Sequence, residues 1–227
     1  MTARARYDGH ADWYDSWNKP NAERNAPDLL ELLGQGEGPC LDLGCGSGHY
    51  FGVIASTGRT VVGLDYSADQ LRIALNRSRR LVQGDAAVLP FADSTFLTVA
   101  TMWTSTDVDD FGAVLREAAR VLEPGGLFVF HGAHPCFNGP HVQWMDDGGI
   151  RAHPTYRFTG WHSAAPWWGE YIRKRVGMCH HPLAGLVNAF ISAGLVIEYM
   201  AELGDRPVPA ILGIRARKPA GQLDRAD

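Results

Sequence analysis

The chain has 227 residues, 45% of them hydrophobic, and a formal net charge of −4. That length suffices for one large α/β domain with a proper core, and that charge excludes a protein that binds nucleic acid through its overall electrostatics. No apolar run reaches membrane-span length, no signal-peptide core follows Met1, and the four scattered cysteines (Cys40, Cys45, Cys136, Cys179) fit a reduced compartment, so a cytoplasmic protein is expected.

Residues 1–34 precede the first strand. Tyr7, Trp13, Tyr14 and Trp17 are crowded into one short stretch, and Asn25-Ala26-Pro27 opens a helix carrying Leu29, Leu30, Leu32 and Leu33 up to Gly34. The segment is read as a lid over the site that follows; the plainer alternative is a helix packed on the domain.

Cys40-Leu41-Asp42-Leu43 is a short buried strand running into the turn Gly44-Cys45-Gly46-Ser47-Gly48-His49. Glycines at alternate positions leave the backbone open to a ligand. Thr60–Leu64 is the second strand and ends at Asp65-Tyr66; Ser67-Ala68-Asp69-Gln70 is a capping box starting a helix that is expected to reach about Arg79. Leu81–Gln83 is the third strand and ends at Gly84-Asp85. Phe96–Met102 is the fourth and leads into Trp103. Phe111, Val114, Leu115, Ala118, Val121 and Leu122 recur at helical spacing as far as the turn Glu123-Pro124-Gly125-Gly126, and Leu127–Phe130 is the fifth strand. Strands alternating with helices in this way predict βαβ units and a parallel sheet. Successive strands end in Asp42, Asp65 and Asp85, which predicts a polar ligand with several donors across one sheet edge. Asp65 stands about twenty residues past the turn, where an acid accepts hydrogen bonds from ribose hydroxyls.

Residues 136–179 break the rhythm and show no helical or strand period, so they are expected to be structureless, with Trp144, Trp161, Trp167, Trp168, Tyr156 and Tyr171 among His141, His153 and His162. An insertion of this length and aromatic content is read as substrate-binding, with a structural flap or an oligomer contact as the alternative. Pro182 then opens a helix ended by Gly194, and the strands Leu195–Met200 and Pro209–Arg215 follow with no helix between them. The expected architecture is a single domain over 1–227: a Rossmann-like, seven-stranded, mostly parallel sheet with helices on both faces and a C-terminal antiparallel hairpin.

The turn is the informative motif. Gly44-x-Gly46-x-x-His49 lacks the third glycine of the dinucleotide fingerprint, and the Gly-Lys-Ser/Thr of a P-loop is absent. The pattern present is Asp42-x-Gly44-x-Gly46-x-Gly48. With Val62-Gly63-Leu64-Asp65-Tyr66-Ser67, Gly84-Asp85-Ala86 ahead of Leu89-Pro90-Phe91, and Leu115 to Gly126, it resembles the class I S-adenosylmethionine-dependent methyltransferases, in particular the small-molecule group with an ubiquinone-methyltransferase-like core. The resemblance covers about residues 5–135 well and 180–216 in outline; one departure is Leu97 after Phe96, where relatives carry an acid.

The resemblance implies S-adenosylmethionine as cofactor. It gives Asp65 the ribose and Tyr66 the adenine face, and it sets Asp85 and the Ala86 amide at the adenine amino edge. The backbone at Gly44, Gly46 and Gly48 is the cradle, and the Asp42 carboxylate or nearby carbonyls meet the amino group. The sulfonium favours an aromatic neighbour by about 0.5–2 kcal/mol; Tyr7, Trp13 and Tyr14 are the candidates, with Tyr14 entered in the cofactor set. Trp103 is placed near the methyl-transfer point, with a packed core indole as its alternative.

In-line methyl transfer needs a base only for an acceptor that must lose a proton, and His134 past the fifth strand is the candidate. His131 is read as structural, and His162 and His181 are second choices. Cys136, Cys179, His180 and His181 lack zinc-ligand spacing, so no metal is expected. Trp13, Trp144, Trp161, His162 and Trp167 are the expected acceptor contacts, for a flat or apolar small molecule held by stacking. No nucleic acid and no membrane partner is expected, and the state is monomer or homodimer. The competing readings are a tRNA or protein methyltransferase and a non-catalytic cofactor-binding partner subunit.

Overall fold

The computed structural model describes residues 5–169 and 172–221. The opening four residues of the expected lid, and Tyr171 of the insertion, lie outside them.

The chain opens with α1 (Ala11–Leu33), which is followed by β1 (Pro39–Leu43), α2 (Phe51–Ser56), β2 (Thr60–Asp65), α3 (Ala68–Ala74) and β3 (Leu81–Gln83). Next come β4 (Phe96–Met102), a single 3-10 turn (Thr104–Thr106), α4 (Phe111–Val121) and β5 (Leu122–Ala133). The seven-stranded sheet has the order β10-β11-β5-β4-β1-β2-β3, where β10 (Val196–Leu203) and β11 (Ile211–Arg217) are the last two strands. β1 pairs in parallel with both β2 and β4, β2 with β3, and β4 with β5, while β11 runs antiparallel to β5 and to β10. The mostly parallel sheet with its C-terminal hairpin is as expected.

Buried on both faces, the central strands are mostly apolar, with Asp42 in β1 and Thr98 and Thr101 in β4 as buried polar exceptions. On one face Leu41, Val99, Phe128 and Phe130 pack with Val114, Leu115 and Ala118 of α4 and with Phe190 of α6 (Leu183–Ser192). On the other, Cys40, Ala100 and Val129 pack with Leu29, Leu32 and Leu33 of α1, Ile54 of α2 and Leu71 of α3. Each fully buried Leu or Phe contributes about 1.5–3 kcal/mol.

Three local expectations change. Trp13, Tyr14 and Trp17 of the aromatic stretch share one helix, α1, with the leucine run, and that helix continues through Pro20 and Pro27, while Tyr7 lies in the turn before it. Each proline removes one intrahelical hydrogen bond, and the burial of Leu29, Leu32 and Leu33 at 0–2% exposure offsets that loss. The helix after β2 stops at Ala74 rather than about Arg79. The insertion is not structureless: β6 (Val142–Trp144) pairs with β7 (Ile150–Ala152), and β8 (Gly160–His162) pairs with β9 (Met178–His180) across the short helix α5 (Ile172–Val176). Three-residue strands are too short for a period to be read from sequence. Among the described residues no helix is long and apolar enough to cross a membrane, and no cluster of three His, Cys, Asp or Glu could hold a metal.

Candidate active site

β1 sits where strand order reverses, with β2 on one side and β4 on the other, so its carboxyl end opens into the crevice where α/β sheets bind ligands. The turn there is fixed by backbone bonds: Gly44 N and Cys45 N both donate to Leu64 O, at 2.8 and 2.9 Å. Gly44 has φ +76°, and a Cβ there would stand 2.4 Å from Thr104 Oγ1. Gly48, at φ +83°, accommodates the Phe51 ring, which a Cβ would meet at 2.4 Å. Gly46 N donates to Asp65 Oδ2 at 2.7 Å, and Ser67 N donates to Asp65 Oδ1 at 2.9 Å. Burial pushes the Asp65 carboxyl up to about 6 against the pull of these N–H groups from Ser67 and Gly46.

A cavity of about 500 Å³ opens on this turn. Gly44 and Gly46 form its floor, Asp65 and Tyr66 one wall, and Asp85 and Ala86 the far end. Met102 and Trp103 close the β4 side, and Tyr7 and Tyr14 form the roof. The cavity thus gathers Tyr14, Gly44, Gly46, Asp65, Tyr66, Asp85, Ala86 and Trp103 of the expected cofactor set. Trp103 is held at φ +66°, a conformation costing about 1–3 kcal/mol for a non-glycine residue, by its own N–H donating to His131 O at 2.8 Å. Gly48 packs under the turn and does not line the cavity. Asp42 also stays out of the lining, at 0% exposure, and neither of its oxygens has a hydrogen-bond partner among the described residues. Burial, reinforced by Asp65, pushes its carboxyl up to about 8.

The roof is built from distant segments. Tyr7 Oη donates to Asp107 Oδ1 at 3.1 Å, and the same carboxylate pairs with Arg173 of α5, whose Nη2 also donates to Thr106 Oγ1 at 2.7 Å. Burial and the Asp107 charge push the Tyr7 phenol up, so it stays protonated. Arg6 donates to both oxygens of Asp109 at 2.8 and 3.0 Å and lies 3.6 Å from the Trp161 ring centre. The insertion is therefore tied over the site by the Arg173–Asp107 charge pair and by Arg6 on the Trp161 ring. Asp107, which sits at the centre of this roof, escaped selection in the sequence because its partners lie about a hundred and about sixty residues away. Gln70 also lines the cavity, and its place in the capping box hid that role.

Other expected residues are not brought to this cavity. His134 is 2% exposed; its Nδ1 accepts from Cys136 N at 3.1 Å, so the ring proton sits on Nε2 and faces Glu202 Oε1 at 3.1 Å. Both ring nitrogens are engaged, and burial lowers its pKa. Trp13 stacks on Trp17 beneath Arg175, Trp144 lies under Arg206, and Trp167 stacks on His153 at 3.5 Å. Trp161 is covered by Arg6, and His162 bonds Phe158 O at 3.0 Å. These rings hold the insertion's own ribbons and its contacts to the lid; none lines the cavity. His131, read as structural, is fully buried, with its ring edge-on to Trp103 at 5.9 Å.

Residues 41–130 match the family model described as a methyltransferase domain. The chain is 40% identical over 110 residues to a demethylmenaquinone methyltransferase of Corynebacterium kroppenstedtii, covering 48% of this chain and 45% of that one. It is 38% identical over 106 residues to a fatty-acid O-methyltransferase of Mycolicibacterium smegmatis, covering 44% and 39%. The matched region spans less than half the length of these curated relatives. A geranyl diphosphate C-methyltransferase from Streptomyces coelicolor, solved with magnesium, geranyl diphosphate and S-adenosylhomocysteine, shares the fold with a TM-score of 0.65 at 18% identity, covering 86% of this chain and 79% of that one.

Proposed function

We propose that this chain, whose residues 41–130 match a methyltransferase domain, is a class I S-adenosylmethionine-dependent methyltransferase that methylates a small apolar or aromatic metabolite by in-line transfer in this cavity. The observation that carries the reading is the convergence of Tyr14, Asp65, Tyr66, Asp85, Ala86 and Trp103 on one 500 Å³ space above the glycine turn. That volume lies within the range of small-molecule sites. The lining is acidic, with Asp65, Asp85, Asp107, Asp109 and Asp110 against Arg6, which suits a cofactor carrying a sulfonium and an ammonium.

The residues present fit that cofactor. Asp65 Oδ2 accepts from Gly46 N and Oδ1 from Ser67 N, and a carboxylate with about four acceptor sites retains capacity for a ribose hydroxyl. Asp85 Oδ1 is held by Ala87 N at 2.8 Å, leaving Oδ2 free to accept from an adenine amino group. Tyr66, 42% exposed, offers a ring face beside it. The unpartnered Asp42 carboxyl beneath the turn, pushed up to about 8 in the ligand-free chain, becomes a counter-charge for the ammonium only by giving up its proton when the cofactor binds. When bound, the cofactor supplies an activated methyl group that leaves with the carbon–sulfur bond electrons remaining on sulfur. Tyr14 and Trp103 flank the space left for the acceptor and exclude water from it, so positioning and desolvation supply the acceleration. In this proposal His134 orders the turn after β5 rather than taking a proton, because its one acceptor nitrogen is occupied.

The relatives' acceptors, a quinone precursor and a fatty acid by their names, support an apolar small molecule. Incubation with methyl-labelled S-adenosylmethionine and a panel of quinols, fatty acids and phenols should put label into the organic extract. Label in RNA or protein alone would overturn the acceptor class.

A further inference from the structure

We infer that the Gln70 side-chain carbonyl is a second ribose reader beside Asp65, accepting a hydrogen bond from a hydroxyl of the cofactor nucleoside; the inference rests on the cofactor assignment above. Gln70 is only 2% exposed, yet it lines the 500 Å³ cavity. Its Oε1 has no hydrogen-bond partner among the described residues. A buried acceptor left unpaired forfeits its hydration with nothing in return, so native proteins supply a partner from protein, water or ligand.

The local chemistry explains why this carbonyl is free. Ser67-x-x-Gln70 has the spacing of a capping box, in which the glutamine side chain reaches back to the serine backbone N–H. Here half of the box forms: Gln70 N donates to Ser67 Oγ at 3.2 Å. The other half does not, because Ser67 N is taken by Asp65 Oδ1 at 2.9 Å. Asp65 thus displaces Gln70 from the box. The released carbonyl oxygen lies 3.8 Å from the position a Cβ on Gly46 would take, above the same turn whose Gly46 N bonds Asp65 Oδ2. The two acceptors are therefore fixed relative to one another through Ser67 and Gly46. A ribose presents two adjacent hydroxyl donors, and this pair offers them a carboxylate and an amide oxygen. The amide acceptor adds no charge to a wall that already holds Asp65.

Binding of S-adenosylhomocysteine and of 5′-methylthioadenosine, which keeps the ribose and lacks the amino-acid end, is measured by calorimetry on the full chain. Wild type, Gln70→Met and Gln70→Leu are compared, with 2′-deoxy and 3′-deoxy analogues as further ligands. Both variants are expected to bind both parent ligands about 3–10-fold more weakly. The difference from wild type should vanish for one deoxy analogue. Removing an unpaired buried carbonyl should leave the thermal midpoint of the ligand-free variants unchanged or higher, which verifies that they fold. A loss seen with S-adenosylhomocysteine but not with 5′-methylthioadenosine would overturn the hydroxyl assignment in favour of the ammonium. Unchanged affinities would overturn the role of Gln70 altogether. A wild-type chain that bound neither parent ligand would overturn the cofactor assignment instead.

Discussion

The Asp15 carboxylate lies 3.0 Å from His49 Nε2, joining the N-terminal helix to the last residue of the glycine turn. The same carboxylate is 2.9 Å from Arg77, whose Nη1 also donates to Ser47 O at 2.7 Å. Burial opposes the charge on Asp15, but the bonds from Arg77 and Ser47 hold its carboxyl below the usual range. Tyr14, next to Asp15 in sequence, is therefore set over the cavity by a half-buried ion pair. Replacing Asp15 by Ala should raise the KM for the cofactor about 3–10-fold with kcat nearly unchanged, as expected for a lost positioning contact. Asp12 pairs with Arg72 further out, at 80% and 56% side-chain exposure, and Asp12→Asn should change neither parameter measurably. Steady-state kinetics on the two variants makes the comparison.

Asp42 should make the ligand-free protein less stable as pH rises. Its folded carboxyl titrates at about 8 against an ordinary 3.8, so between those values the folded chain holds a proton that the unfolded chain has lost. Stability therefore falls with rising pH through that window and levels off above about 8. Asp42→Asn should raise the thermal midpoint at pH 8 by about 2–4 °C for each kcal/mol regained, with little gain at pH 4, while weakening cofactor binding. Melting curves at the two pH values check the sign; a larger gain at the lower pH would contradict it.

His134→Asn should leave kcat/KM within about threefold, because neither ring nitrogen faces the cavity. The lost bonds to Cys136 N and Glu202 should instead cost about 1–2 kcal/mol of stability. Denaturant titration alongside the activity assay separates the two roles. A loss of kcat of a hundredfold or more, with a shifted pH profile, would restore His134 as the base.

Arg173 and Asp107 bind α5 of the insertion to the cavity roof, at 16% and 22% side-chain exposure. Removing one of a poorly solvated pair leaves the other uncompensated, so Arg173→Met should cost about 2–3 kcal/mol. Asp107→Asn should cost less in that background than in wild type. A double-mutant cycle reads the coupling, and limited proteolysis should show cleavage in residues 136–179 appearing in Arg173→Met first.

What was legible in the sequence follows from range. The strand–turn–helix units and the acids closing β1, β2 and β3 are local patterns, and eight of the expected cofactor residues gather at the cavity because strand ends in a parallel sheet align on one edge. The expected residues that do not line the cavity are held by contacts made across the chain. Trp144 and Trp161 resembled stacking surfaces for a ligand, but Arg206 and Arg6 occupy their faces. His134 has the composition of a base and the right strand end, yet the Cys136 amide takes its acceptor nitrogen. Pro27 read as the opening of a helix, and tertiary burial of one leucine face carries α1 through it and through Pro20. Gln70 was assigned to a helix cap, since nothing in the spacing tells that Asp65 takes its partner.

The acid-walled cavity on the glycine turn is proposed as the S-adenosylmethionine site. Isothermal titration of S-adenosylhomocysteine into wild type and Asp65→Ala tests it most directly. Expected are one site per chain in wild type, weakened at least tenfold in Asp65→Ala, and no heat of binding with NAD. Binding of NAD by the wild-type chain in place of S-adenosylhomocysteine would contradict it.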